Sequence, residues 1–312
     1  MTEDVDTLVV GAGGLLGAAV VRQLRREGRA SRSASVSWDD VDTAAAALLD
    51  QARALVEQDR PWQILWCAGA GVIGTSEEAL DEELEVLERF LSGLARVLAR
   101  TWTPPNGALF LSSSAGGVYA GSAGALFTES TEPVATSPYG HAKLASERIV
   151  TDFAAASGVP TMIGRMSNLY GPGQDLDKPQ GLISQLFLAQ RQRRPLSIYV
   201  SLDTARDYLY VDDAARILLA ATDRVADGTP GATVVKILAS QRSVTIGSIL
   251  GELRHLVRRR PLIVLGSSHL SRFQAGHLRF RSEVWPDLDS LATTPLPAGM
   301  SATMAGVARE AG

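Results

Sequence analysis

Tyr139 and Lys143 stand four residues apart in the stretch "SPYGHAKLASE". On a helix that spacing puts a phenol and an ammonium on one face. A cation beside a phenol favours phenolate and lowers the tyrosine pKa from its ordinary value of about 10. Such a tyrosine can exchange a proton with an alcohol near neutral pH. The same pair alone also fits plain helix surface, so the reading depends on what the chain brings beside it.

One partner is legible upstream. In "LFLSSSAGGVYAG" an apolar run, Ala108 to Leu111, ends in Ser112, Ser113 and Ser114. A core strand that ends in serine delivers a hydroxyl to the C-terminal edge of a sheet, where doubly wound folds bind their ligands. The glycines that follow keep bulk away from that hydroxyl.

The third piece is "LVVGAGGLLGAAVV", with Gly11, Gly14 and Gly17 between a first strand and a first helix. The first glycine permits a tight turn and the second lets backbone approach a pyrophosphate. The third lets the helix pack on the sheet with its N-terminus facing the anion. A plain strand-to-helix turn could use the same residues. An acidic residue about twenty positions farther on would bind the ribose of NAD. That region, "GRASRSASVSWDD", offers Arg29, Ser31, Arg32, Ser33 and Ser35 before Asp39 and Asp40. Basic and hydroxyl groups there suit the 2′-phosphate of NADP, so between NAD and NADP the reading leans to NADP. Two alternatives stay open: Arg29 and Arg32 are merely solvated, or Asp39 reaches the ribose.

The elements that must hold these residues follow from periodicity. Thr7–Val10, Ile64–Cys67, Leu109–Leu111 and Thr161–Gly164 read as short buried strands. Ala18–Glu27, Thr43–Gln58, Ser76–Arg100 and Tyr139–Ala156 read as helices. The alternation predicts an α/β fold, a Rossmann-type doubly wound parallel sheet with a smaller C-terminal substrate-binding portion. A dinucleotide-binding domain is expected over 1–167, rejoined by segments near 205–240, with 168–312 mainly binding substrate. The last two dozen residues carry Pro295, Pro297 and little charge, and give no expectation of order. Leu80, Leu84, Leu87, Leu91, Leu94 and Leu98 form one apolar stripe. It suits either packing on the chain's own sheet or a helical seam with a second copy. The homodimer expected from it would use the helix at 77–100 and the helix after Tyr139.

Composition narrows the class. A chain of 312 residues with 46% hydrophobic content can bury a sizeable core. A net charge of -4 points away from general nucleic-acid and polybasic membrane binding. The single cysteine, Cys67, excludes an intramolecular disulfide, fits a reducing compartment and reads as a small buried hydrophobe. Histidine and cysteine are too scattered for a metal site. The longest apolar run, Leu8 to Val21, holds four glycines and follows acidic residues, unlike a signal peptide or a span. A cytoplasmic protein is expected, with no membrane or nucleic-acid partner.

Taken jointly, "GAGGLLG", "LFLSSSAGGVYAG", "SPYGHAKLASE", "GRMSNLYGPGQ" and "ARDYLYVDDAARILLAA" resemble the extended short-chain dehydrogenase/reductase family, the NAD(P)-dependent nucleotide-sugar epimerases, dehydratases and reductases. "ATTPLPAGMSAT" resembles that family's closing segment more loosely. The resemblance implies Tyr139 as acid/base and Lys143 as its activator and ribose ligand. It implies a serine bonded to the reacting oxygen, Ser114 first, or Ser113 because "SAGGVY" is one residue longer than the common form. Cofactor contacts implied are Gly11, Gly14, Leu15, Leu16, Gly17, Arg32, Asp39, Ala68, Tyr139 and Lys143. Substrate contacts implied are Ser113, Ser114, Asn168 and Arg206, the last gripping the nucleotide pyrophosphate unless it is a surface partner of Asp207.

The family's 4,6-dehydratases place Asp-Glu directly after the hydroxyl residue. Here those positions are Ala115 and Gly116, which carry no protons. A nucleotide-sugar epimerase working by transient hydride transfer is therefore expected, with an NADPH-dependent 4-keto-sugar reductase as the alternative. A non-catalytic, cofactor-binding regulator is a further alternative, against which the intact serine, tyrosine and lysine argue.

Overall fold

Five residues at the N-terminus, Asp6–Val10, form strand β1, with Leu8, Val9 and Val10 at 2% exposure or less. The computed structural model describes residues 5–58, 60–69, 71, 74–100, 105–178, 180–258, 261–266 and 277–310. After β1 come helix α1 (Leu15–Arg26), β2 (Ser31–Ser33), α2 (Val41–Val56), β3 (Trp62–Trp66), α3 (Glu77–Leu98) and β4 (Gly107–Ser114). A short turn of helix, α4 (Ala115–Val118), leads on to α5 (Pro138–Ser157) and β5 (Thr161–Met166). Every residue of β3 and β5 is buried. Continuous burial on both faces is the mark of a parallel sheet covered by helices on each side.

The main sheet has the order β2-β1-β3-β4-β5-β9, all parallel, its last strand being β9 (Thr233–Leu238). Helices α2, α3 and α5 cover one face through Leu48, Leu55, Phe90, Leu94 and Val150. The other face is covered by α1 and by α7 (Val211–Ala226), through Val20, Leu24, Ala214 and Leu218. Strand order reverses between β1 and β3, the switch point at whose C-terminal edge such sheets open a crevice.

The remaining chain builds a smaller layer. Strand β8 (Ala205–Tyr210) pairs with β6 (Asn168–Tyr170), β10 (Ser243–Thr245) and β12 (His277–Leu278). A separate ribbon joins β7 (Leu196–Ile198) to β11 (Ile263–Leu265). Helices α6 (Leu182–Gln192), α8 (Ile246–Val257) and α9 (Leu296–Glu310) share a core of Leu186, Ile249, Leu253 and Met300. Within 205–240, α7 and β9 join the main sheet while β8 belongs to the smaller one.

Two expectations change here. The C-terminal stretch is ordered: α9 buries Met300, Thr303 and Val307, and its Gly306 backs onto Pro172. The leucine stripe of α3 also closes inside the chain. Leu80, Leu87, Leu91, Leu94 and Leu98 are buried in the core shared with α2 and α5, and Leu84 is half-buried. The outer face of α3 carries exposed acids, among them Glu77, Glu78, Asp81, Glu82, Glu85 and Glu88. The stripe thus packs within the chain. Among the described residues no helix is long and apolar enough to cross a membrane, and no cluster of histidine, cysteine and carboxylates is placed to hold a metal.

Candidate active site

The glycine loop lies at the switch point, and two of its glycines, Gly11 and Gly17, have a steric reason. Gly11 has φ +83°, and a Cβ there would stand 2.5 Å from the Ala68 nitrogen. Only glycine lets the end of β1 approach the end of β3 so closely. A Cβ on Gly17 would stand 2.1 Å from the Gly11 oxygen, so α1 docks directly on the turn. Gly14 caps α1, and a Cβ there would meet only the Gly11 oxygen, at 3.5 Å. Its outer side faces open space, no side chain caps the helix, and the first turn has no acid. Leu16 is in the core at 6% exposure, which leaves its backbone amide as the group it can offer. This cradle fits a dinucleotide pyrophosphate, held by the amides after Gly14 and by backbone at Ala68. Cys67 packs beside it, and burial pushes its thiol up to about 12, so it stays protonated.

Of the residues that suggested NADP, Arg29 has another role. Arg29 is buried, its side chain 2% exposed, and its guanidinium donates to both oxygens of Asp223 at 3.0 and 2.9 Å and to Gln63 at 3.0 Å. It ties the approach to β2 onto α7 from within, so it is neither a phosphate ligand nor a solvated surface group. Arg32 is exposed and lies 4.0 Å from Asp6. Asp39 is exposed and accepts the Ser37 hydroxyl, while Asp40 caps α2 by accepting the Thr43 amide.

At the other end of the crevice, α5 begins on a strong start signal. Ser137 accepts the Gly140 amide and Pro138 occupies the first turn. That start fixes Tyr139, which is half-buried, and Lys143 one turn later, which is buried. Gly140 makes a close approach possible: a Cβ there would stand 2.4 Å from the Gly117 oxygen. Gly117 in turn separates the two reactive groups. Its Cβ would lie 3.0 Å from Tyr139 Cε1 and 3.4 Å from Ser114 Oγ. Phenol and hydroxyl therefore flank the width of one missing side chain.

Strand parity separates the serines. Ser114 caps α4 by accepting the Gly117 amide at 3.1 Å, and its rotatable hydroxyl hydrogen stays available as a donor. Ser113 points to the opposite face, is 3% exposed, and donates to Glu147 Oε1 at 2.5 Å. Glu147 also takes two bonds from Arg165, at 3.0 and 2.7 Å, and Arg165 donates to the Tyr119 hydroxyl at 2.5 Å. The geometry thus puts Ser114 in the gap beside Tyr139 and Ser113 in a buried polar network.

The Lys143 ammonium lies 5.6 Å from the Tyr139 ring centroid and 3.3 Å from Glu83 Oε1. Burial pulls its pKa down, but Tyr139 and Glu83 beside it outweigh this and hold it above the ordinary lysine value. Lys143 therefore stays charged. Glu83 was not singled out in the sequence; its one signal is an acid on the same face as Leu80 and Leu87.

Asn168 reaches the same edge. It lies two residues beyond Met166, which pairs with Ser114, and its amide donates to the Asp207 carbonyl at 2.8 Å. Arg206 is buried on β8; burial lowers its pKa, Tyr208 opposes that, and a guanidinium so placed keeps its charge. It is not a surface partner of Asp207, whose carboxylate faces away to Ser240 and the Arg242 amide.

The model of the NAD-dependent epimerase/dehydratase family matches residues 7–235. The chain belongs to this family. Among curated members, a dTDP-glucose 4,6-dehydratase from Salmonella typhimurium is 40% identical over 93 residues, 30% of this chain and 25% of that protein. A dTDP-L-rhamnose 4-epimerase from Burkholderia thailandensis is 34% identical over 95 residues, 30% of this chain and 26% of that protein. The matches span about a quarter of each relative's length. Among solved structures, MoeE5 in complex with UDP-glucose and NAD superposes with TM-score 0.80 at 22% identity, covering 98% of this chain and 100% of that one. A Thermotoga maritima UDP-glucose 4-epimerase with UDP-glucose gives 0.79 at 18%, with 98% and 100% covered. These likenesses establish the Rossmann-type fold of the family's extended members. The family's cofactor is NAD, and the lean to NADP has no support beyond the arginines placed above.

Proposed function

We propose that this family member is a nucleotide-sugar epimerase using NAD, with Tyr139 as its acid/base. The observation that carries the reading is the gap at Gly117, with Tyr139 on one side and Ser114 on the other. NAD in that cradle would supply reversible hydride acceptance at a sugar carbon. Tyr139 takes the proton of the sugar hydroxyl as the carbon becomes a ketone, and returns it when the alcohol re-forms. The Ser114 hydroxyl donates to the same oxygen, and the Lys143 ammonium lies 5.6 Å from the Tyr139 ring centroid. Arg206 suits the diphosphate of the nucleotide, and Asn168 lies where it can meet the sugar.

Inversion rather than elimination follows from Ala115 and Gly116, neither of which exchanges protons. The reductase alternative drew on an NADP signal, and the buried Arg29–Asp223 pair withdraws one of the residues behind it. Solved relatives with UDP-glucose, UDP-glucuronic acid and NAD make UDP-hexoses the first substrates to try, with dTDP-hexoses second. The test is product analysis by NMR on both sets: a single inverted hydroxyl supports the reading, and a 4-keto-6-deoxy product sinks it.

The serines give a sharper expectation. Ser114→Ala should lower kcat about 10²-fold, the usual loss for one donor to a developing oxyanion. Ser113→Ala should leave kcat within a few fold and destabilise the fold by about 1–3 kcal/mol, since Glu147 loses a buried donor. Steady-state kinetics and urea unfolding of both variants check this, and the reverse pattern would exchange the two roles.

A further inference from the structure

Glu83 is the half-buried acid of α3; the other acids of that helix are exposed. It shares the inward face with Leu80 and Leu87, and its side chain is 21% exposed. A carboxylate on an apolar face is unfavourable unless a cation and hydrogen-bond donors meet it. Glu83 has both: Oε1 lies 3.3 Å from Lys143 Nζ and Oε2 accepts the Gly71 amide at 3.3 Å. Gly71 is wedged between the reacting phenol and this acid, since a Cβ on it would lie 3.5 Å from Tyr139 Cδ2 and 3.7 Å from Glu83 Oε2. A Cβ on Gly69 would lie 3.2 Å from Lys143 Nζ and 3.4 Å from Glu83 Oε1. Trp66, Leu84, Leu87 and Leu111 line a small cavity together with Glu83 and Lys143, an apolar setting that strengthens charge interactions.

The other charged groups around Lys143 are already engaged. On α5, Glu147 is held by Arg165 of β5 and by Ser113 of β4, and His141 is exposed. Arg148 and Asp152 of α5 are exposed, and Tyr139 lies one turn before Lys143 on the same helix. Glu83 is thus the carboxylate in direct contact with the ammonium.

We propose that Glu83 is a positioning residue: it anchors the Lys143 ammonium beneath Tyr139, ties the turn after β3 to that pair, and offsets part of the cationic charge felt by the phenol. The inference rests on the reading of Tyr139 and Lys143 as a proton-transfer pair. Glu83→Gln keeps the size and an oxygen for the Gly71 amide but removes the charge. Lys143 then loses its anionic partner, so its titration midpoint should fall by about one pH unit. The phenol then faces less compensated positive charge. The acid limb of the pH–kcat profile for sugar oxidation should move to lower pH by a similar amount.

The first readout needs no turnover: the pH titration of the Lys143 Cε carbon-13 signal in labelled protein, assigned by its loss in Lys143→Arg. A lower midpoint in Glu83→Gln, with Glu83→Asp near wild type, supports the proposal; an unchanged midpoint in Glu83→Gln overturns it. Glu83→Ala serves the same comparison should the Gln variant not fold. The acid limb of the turnover profile is the second readout, and a merely structural Glu83 would lower activity without moving it. A lowered Lys143 midpoint with no turnover of any nucleotide sugar would uphold the Glu83–Lys143 contact and reject the reaction class. Epimerisation by the wild type with an unmoved midpoint would reject the role of Glu83 alone.

Discussion

Tyr139→Phe should reduce kcat by about 10²–10⁴-fold, the range for loss of a positioned acid/base. The substitution removes one oxygen from a half-buried ring at the start of α5 and leaves the ring itself in place, so the fold has little reason to respond. The cap at Ser137, the Gly140–Gly117 contact and the Lys143–Glu83 pair all persist without that oxygen. NAD bound to the purified variant should therefore match the wild type, and KM should change by less than kcat. Residual turnover is expected, because Ser114 can still bond the reacting oxygen. Steady-state kinetics combined with cofactor content make the check. Turnover within threefold of wild type would remove Tyr139 from the reaction.

The largest effect on stability is expected at Glu147. Its carboxylate joins Arg165, Ser113 and, through Arg165, Tyr119, with side-chain exposures of 9% for Glu147 and 7% for Arg165. Three elements meet there, α5, β4 and β5. Glu147→Gln leaves Arg165 as a buried cation with weakened partners, a loss of about 3–5 kcal/mol. The double variant Glu147→Leu with Arg165→Met should recover most of that loss, because removing both charges removes the desolvation penalty as well. Urea unfolding of the three proteins measures it. The effect also reaches the site, since Glu147 lies one helical turn beyond Lys143. A Glu147→Gln protein within 1 kcal/mol of wild type would show that the pair contributes little net stability.

Much of this was legible in the chain because the causes are local. The glycine loop announces itself through its spacing, and the close approaches that require Gly11 and Gly17 are to backbone at most one strand away. Tyr139 and Lys143 are readable because helix spacing alone puts them together. The Ser113–Ser114 ambiguity came from one extra residue, and the two hydroxyls separate only once Glu147 is known to hold Ser113. What stayed hidden depends on distant partners. Arg29 looked like a phosphate ligand because Asp223, which neutralises it, is 194 residues away. Glu83 passed as one acid among many because Lys143 lies 60 residues on. The closing helix gave no signal because its small residues are selected by distant neighbours: a Cβ on Gly299 would stand 2.3 Å from the Tyr170 hydroxyl. Strand β2, with only Ser31, Arg32 and Ser33, has no apolar pattern to read and exists as an edge paired to β1.

The most direct test of the central claim is to incubate the purified protein with UDP-glucose and with dTDP-glucose, adding NAD but no reductant, and to follow the sugar by NMR. The account predicts conversion to a mixture of two sugars differing at one hydroxyl-bearing carbon. No reduced cofactor should accumulate, and Tyr139→Phe should abolish most of the conversion. Loss of water to give a 4-keto-6-deoxy sugar, or turnover that appears only as NADPH is consumed by a keto-sugar, would contradict it.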